Sequence, residues 1–343
     1  MKAFIPFILL IIALSSCGST KTNIQSIPSD GQHTIIFASC NDPHRPMPLW
    51  DDIRNENPDV FIWGGDNVYA DTDNMEKMEA DYDLVWASAA YQKLAEEAIV
   101  IGTWDDHDYG KNDAGEEWEM KDEAQTELLN FLKVSANDPR RNREGVYHAE
   151  TFNFGEGSVK VILLDTRYFR SALKPSDDPD RRYDAWEEGE GGTMLGNAQW
   201  NWLQEELEND SADFTLVVSS IQVLADQHGW EKWGNMPEEQ ARLLDVIRKA
   251  KANNIIILSG DRHQAEVSVT TVPGLDYPLI DFTSSGLTHT WPETPMDENV
   301  HRVGEGTKQL NYGVLYFDFN RDTVQFEIRG DKGVLYQTFT QKF

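Results

Sequence analysis

Three acidic stretches, each placed where an apolar run stops, constrain this chain more than any other feature: Phe61-Ile-Trp-Gly-Gly-Asp-Asn-Val-Tyr69, Gly102-Thr-Trp-Asp-Asp-His-Asp-Tyr-Gly110 and Ile257-Leu-Ser-Gly-Asp-Arg-His263. A strand buried on both faces reads as a nearly continuous apolar run, and open α/β sheets collect ligands just past the carboxyl ends of such strands. Asp66, Asp106, Asp261 and His263 stand at such ends. One acidic strand end is an ordinary turn, because Asp bonds its own backbone there. Three of them, two with a histidine close by, form the pattern of loops that hold metal ions, since buried carboxylates need compensation.

Other apolar runs fit strands at residues 33–40, 59–63, 98–104, 159–165, 214–221, 254–259 and 279–283. Apolar residues every three or four positions predict helices at 49–55, 75–97, 118–134, 198–207 and 238–251. Pro237 followed by Glu238 and Glu239 marks the start of the last one, since proline fits a first turn and acid complements the helix dipole. The alternation of strand and helix implies a layered α/β core. Residues 312–320, 323–328 and 334–340 alternate apolar and polar around the turns Asn320-Arg-Asp and Gly330-Asp-Lys-Gly, which predicts a C-terminal antiparallel meander. Two long loops, 171–195 and 286–309, follow strand ends, and the second carries His289, Trp291, His301 and Arg302. Long loops so placed are expected to cover a site.

The N-terminus reads as an export signal, with Lys2, an apolar core over 4–14 and small residues at Ser15 and Ser16. It ends in Leu14-Ser-Ser-Cys17, which resembles the lipobox of bacterial lipoproteins and makes Cys17 the expected lipidated residue of an exported, membrane-anchored protein. Residues 1–16 are then the signal, 17–32 a polar tether and 33–343 a single domain. Cys40 is the only other cysteine, so no disulfide forms within one mature chain. Its place at the end of an apolar run suits a thiolate metal ligand, the alternative being a small buried hydrophobe. With 59 acidic against 30 basic residues and a net charge of −29, the chain repels polyanions, and non-specific nucleic-acid binding is not expected. Phosphate chemistry under that charge requires cations that reverse the local field.

Taken in order, Phe37-Ala-Ser-Cys40, Pro48-Leu-Trp-Asp51, Pro58-Asp-Val-Phe-Ile-Trp-Gly-Gly-Asp-Asn67, Thr103-Trp-Asp-Asp-His-Asp108, Leu164-Asp-Thr-Arg-Tyr168, Met194-Leu-Gly196, Ser219-Ser-Ile-Gln222, Ser259-Gly-Asp-Arg-His263 and Thr283-Ser-Ser-Gly-Leu-Thr-His289 resemble the alkaline phosphatase D family, a branch of the calcineurin-like metallophosphoesterases. The resemblance implies two packed mixed sheets flanked by helices, a four-layer sandwich, with metals at the strand ends. It also implies that Asp66 bridges two metals, that Asp106 is a ligand with Asp105 beside it as ligand or orienter, and that Asp261 and His263 replace a terminal pair of histidines. Many oxygen donors favour calcium, magnesium or manganese, and the family pattern adds a ferric iron on the cysteine. Some family members carry tyrosine two residues after that cysteine. Here the residue is Asp42, which becomes the expected ligand in its place.

The residues point to a phosphate ester hydrolysed by metal-activated hydroxide, with no Ser or Cys nucleophile. His107, held by Asp108, is the expected general acid, and Arg167 the expected clasp of the phosphoryl group, a salt bridge to Asp165 or Asp108 being its alternative. Asn67, Asn112, His289 and Trp291 are the substrate-contact candidates. Alternative readings are a phosphodiesterase of the phospholipase D type acting on lipid headgroup esters, favoured by the membrane tether, and a surface lipoprotein whose metals hold a binding face without turnover. No protein partner is implied.

Overall fold

Two mixed sheets pack face to face, with helices on both outer surfaces. The computed structural model describes residues 24–27 and 33–343. The expected signal and Cys17 lie outside the described residues. Six strands form the smaller sheet in the order Leu335–Lys342, Thr323–Arg329, Tyr312–Asp318, His33–Ala38, Val60–Gly64, Ile99–Thr103. Its last three strands are parallel to one another, and the predicted meander adds three antiparallel ones. The larger sheet has the order Ile24–Ser26, His148–Asn153, Ser158–Leu163, Phe214–Ser219, Ile255–Ser259, Leu279–Ser284, Ala265–Thr270, Arg302–Thr307. Ser158–Leu163, Phe214–Ser219, Ile255–Ser259 and Leu279–Ser284 run parallel.

Side-chain alternation along these strands makes three cores. Ile35, Phe37, Val60 and Ile62 of the small sheet meet Val161, Leu163, Val218 and Leu258 of the large one, filling the space between the sheets. Their neighbours Ile36, Phe61 and Trp63 turn outward onto the helices Trp50–Asn55, Met75–Trp86, Ala89–Glu97 and Lys121–Phe131. Ile162, Val217 and Ile257 turn outward onto Gly196–Glu208 and Pro237–Lys249. Since both faces of each central strand are covered, the strands read as continuous apolar runs.

The strands predicted from those runs are all present. The single helix expected over 75–97 is two, divided where Ser88 caps the second by accepting the Tyr91 N–H. His148–Asn153, Ala265–Thr270 and Arg302–Thr307 were not legible as strands, the last because it lies inside an expected loop and carries two glycines at positive φ. Residues 24–26 of the expected tether also join the large sheet, pairing parallel with His148–Asn153.

The two sheets bring their parallel carboxyl ends to one place. Thr103 Oγ1 donates to Leu164 O at 2.8 Å, and Ser39 Oγ to Ser284 O at 3.1 Å. Gly260 lies at this junction: a Cβ there would stand 2.7 Å from Ser39 Oγ and 3.0 Å from Gly64 O, so only glycine lets the strand ends approach.

Candidate metal centre

Past three strand ends the chain turns through the left-handed region at four residues: Cys40 at φ 61°, Asp66 at 51°, and Asp261 at 66° with His263 at 52° after the same strand. Non-glycine residues held there cost of order 1–3 kcal/mol each and persist where the surroundings fix them. The turn redirects each side chain from the sheet into the space beyond the strand ends. Asp105 and Asp106 arrive differently, at the start of the short helix Asp106–Tyr109.

Oxygens of Asp66, Asp105, Asp106 and Asp261 lie within 4.8 Å of one another. A second grouping joins Asp66 and Asp106 to His107. Hydrogen bonds fix three of these carboxylates, through one oxygen in Asp105 and Asp106 and through both in Asp66, whose Oδ1 takes the His107 N–H at 3.3 Å. Asp105 Oδ1 takes Ser220 Oγ at 2.6 Å and the Arg167 guanidinium. Asp106 Oδ2 takes Asn112 Nδ2 at 3.0 Å and the Asp113 N–H at 2.6 Å. Asp66 Oδ2 takes Tyr69 OH at 3.1 Å and faces Cys40 Sγ at 3.5 Å. Asp105 Oδ2, Asp106 Oδ1 and Asp261 Oδ2 are buried without a hydrogen-bond donor among the described residues, the last with the Arg262 guanidinium 3.5 Å away. Converging oxygens that lack donors fit cations.

The electrostatics agree. Burial, then neighbouring carboxylates, pushes Asp66 well above the usual carboxylate range, and burial does the same to Asp105 against the opposing Arg167. Asp261 is raised by burial to about 6. Asp106 is held low because His107, Arg167 and the Asp113 N–H outweigh burial. Burial depresses His263 to about 3 and His289 to about 4, keeping both imidazoles neutral and able to donate a lone pair. Cys40 is fully buried beside Asp66, and burial raises its thiol.

Several expected roles change with the geometry. Asp108 does not hold His107. Its carboxylate accepts the backbone N–H groups of Asp66, Asn67 and Asp105 and the Tyr82 hydroxyl, so it ties the acidic loops together from beneath. His107 Nδ1 instead pairs with Asp71 at 2.8 Å, and its ring packs at a tilt against Tyr69, with centroids 4.1 Å apart. Burial opposes the imidazolium, but Asp106, Asp66 and Asp71 outweigh it and raise His107 to about 11.

Arg167 does not face the pocket. It is fully buried, with Nε 2.6 Å from Asp105 Oδ1 and Nη1 2.6 Å from Glu231 Oε2. Glu231 also pairs with Arg170 at 3.0 Å, and Arg170 donates to Asp113 O. A chain of buried charges therefore runs from Asp105 through Arg167 and Glu231 to Arg170, which meets the backbone of Asp113, whose N–H in turn holds Asp106. The salt-bridge alternative for Arg167 holds in kind but not in partner: its guanidinium pairs with Asp105 and Glu231, not with Asp165 or Asp108.

Asp42 stands outside the group of converging carboxylates. One of its oxygens takes Arg45 Nε at 2.9 Å and the other the His44 N–H at 3.0 Å. Asn67 is fully buried, donating to Thr103 O and Asp108, which removes it from substrate contact. Asn112 orients Asp106 and also lines the pocket. That pocket, about 720 Å³, is walled by Tyr69, His107, Asp113, Glu231, His289 and Trp291 among others, with Asp106, Asp261 and His263 exposed to it. Tyr69, Asp71, Asp113 and Glu231 were missed in the sequence. Tyr69 sits three residues after Asp66, within reach as a signal. Glu231 follows no recognisable motif.

Residues 35–331 match the sequence model of the PhoD-like phosphatase family. Over 302 residues the chain is 24% identical to alkaline phosphatase D of Bacillus subtilis (strain 168), an alignment covering 74% of this chain and 50% of that protein. The chain thus spans half the length of this relative. Among solved structures, PhoD aligns with a TM-score of 0.72 at 17% identity over 92% of this chain and 71% of that one. A dimetal phosphatase from Danio rerio aligns with a TM-score of 0.54 at 15% identity, over 92% of this chain and all of that one. These structural likenesses speak for the fold, and the family match spans both sheets and every strand end that carries a candidate ligand: the chain belongs to the PhoD-like phosphatase family.

Proposed function

We propose that this chain is a metal-dependent phosphoesterase of the alkaline phosphatase D type. One observation carries the reading. Four carboxylates, Asp261 half-buried and the other three buried, converge where a pocket meets an imidazole, and three of them have an oxygen with no hydrogen-bond donor among the described residues. Asp66, Asp105, Asp106 and Asp261 would hold the cations, with Cys40 and His263 beside them. When bound, such cations neutralise phosphoryl oxygens and lower the pKa of water to near neutrality. The oxygen donors favour calcium, magnesium or manganese, while the Cys40 thiolate is the donor suited to iron.

The chain's own residues do the rest. Tyr69, Ser220 with Arg167, and Asn112 with the Asp113 N–H hold Asp66, Asp105 and Asp106 in fixed orientation. His107 carries the proton for the leaving-group oxygen. Its Nδ1 is committed to Asp71, so Nε2 is the nitrogen that donates, and Asp71, which lies outside the group of metal-holding carboxylates, is the partner that supports the imidazolium. Export and attachment through acylated Cys17 belong to the same reading, supported by the leader and the lipobox pattern.

The test is turnover of a panel of phosphomonoesters and diesters together with elemental analysis of the purified protein. Asp66→Asn should fold yet fall by roughly a thousandfold in kcat/KM, because each tenfold is about 1.4 kcal/mol and a lost ligand charge costs several. Near-normal turnover by a metal-loaded Asp66→Asn protein would remove Asp66 from the centre.

A further inference from the structure

Eleven tryptophans occur in the chain. Among the described residues only two of them are largely exposed, Trp230 at 46% and Trp291 at 55%, and both line the pocket beside the converging carboxylates. The placement is held from the protein side. Trp291 stands edge-on to His263 at 5.8 Å and to His289 at 6.4 Å. Trp230 lies on a segment whose Gly229 carbonyl accepts the backbone N–H groups of Arg182 and Tyr183 at 2.8 and 3.1 Å, and the Arg262 guanidinium sits 5.3 Å from its ring. The next residue, Glu231, is the buried partner of Arg167 and Arg170, which fixes this segment to the chain of charges behind Asp105.

Exposed indoles gathered at one concave site mark recognition surface, since packing does not require them there. The volume, about 720 Å³, far exceeds what a phosphoryl group occupies and matches pockets that enclose a drug-sized molecule. Arg45, Arg182, Arg262 and Lys308 also line it, so an anionic ester can enter despite the net charge of −29.

We propose that Trp230 and Trp291 form a stacking site for a flat aromatic leaving group, and that the ester this site takes is a nucleotide, its base against the indoles and its phosphoryl group toward the carboxylates. This rests on the phosphoesterase reading. A sugar ring would use the same indoles through its C–H face, so the test separates the two.

Wild type, Trp230→Ala and Trp291→Ala are compared on adenosine 5′-phosphate, glucose 1-phosphate and glycerol 3-phosphate, with calorimetric titration of adenosine alone. Each alanine variant should lose about tenfold or more in kcat/KM on the nucleotide, in line with loss of one base stack, and markedly less on glycerol 3-phosphate, which has no ring to stack. Adenosine binding should weaken in both variants and recover in Trp230→Phe and Trp291→Phe. Equal losses on all three esters, a loss confined to the glucose ester, or adenosine binding indifferent to both tryptophans overturns the proposal. Adenosine that binds through the tryptophans while no ester is hydrolysed upholds the stacking site and sinks the phosphoesterase reading instead.

Discussion

Arg167→Met tests whether the buried chain of ion pairs, rather than a phosphate clasp, explains this arginine. The wild-type guanidinium is fully buried and compensates two carboxylates, at 2.5 Å from Asp105 and 2.6 Å from Glu231. Methionine keeps much of the volume and removes the charge. Glu231 retains Arg170 at 3.0 Å, so the loss falls mainly on Asp105, itself fully buried. Breaking one buried pair by removing a partner costs about 3–5 kcal/mol, because a charge is left uncompensated. For a domain of this size each kcal/mol is worth roughly 2 °C in Tm, giving a fall of about 6–10 °C. Bound cations supply Asp105 with another partner, so the fall should be larger after chelation than in metal-loaded protein. Turnover should drop about 10- to 100-fold through loss of metal affinity and of Asp105 orientation, with KM nearly unchanged. Arg167→Lys should recover little, since an ammonium lacks the planar fork that spans two carboxylates. Thermal scans with and without chelator, metal content and separate kcat and KM values decide it. A KM raised tenfold with Tm and metal content unchanged would place Arg167 on the substrate and refute the argument.

His107 and Asp71 should behave as a pair. Asp71→Asn and His107→Ala should both depress turnover of esters with high-pKa alkoxide leaving groups far more than of activated aryl esters, with metal content preserved, because only poor leaving groups need a proton in the transition state; equal losses on both substrate types would make His107 structural or coordinating. For export and anchoring, mass spectrometry of the mature N-terminus should find Cys17 acylated, and Cys17→Ala should release the protein from the membrane fraction. An unmodified N-terminus would reject the lipid anchor.

Much of the fold was written locally. Strands covered on both faces had to be apolar throughout, so Ile35–Ala38, Phe61–Trp63 and Ile255–Leu258 announced themselves, and the acids following them announced where ligands gather. Strands at sheet margins, such as His148–Asn153 and Arg302–Thr307, are partly exposed and carry no such run. The sequence also placed Asp66, Asp106 and Asp261 together, because each ends a parallel strand.

What each acid in Asp105-Asp-His-Asp108 does was beyond local pattern. Successive residues of a helical turn point about 100° apart, so Asp106 and Asp108 face nearly opposite directions. Only the packing of the two sheets determines that Asp106 meets Asp66 and Asp261 while Asp108 gathers the backbone of Asp66 and Asn67. Distance along the chain hid the remainder. Arg167 finds Asp105 across 62 residues and Glu231 across 64, and a buried guanidinium goes where uncompensated carboxylates are, which no spacing in the sequence records. Position in a motif suggested a phosphate clasp. Burial beside two carboxylates made Arg167 part of the frame that holds the metal ligands, because a charge sealed from water must be neutralised by its nearest neighbours.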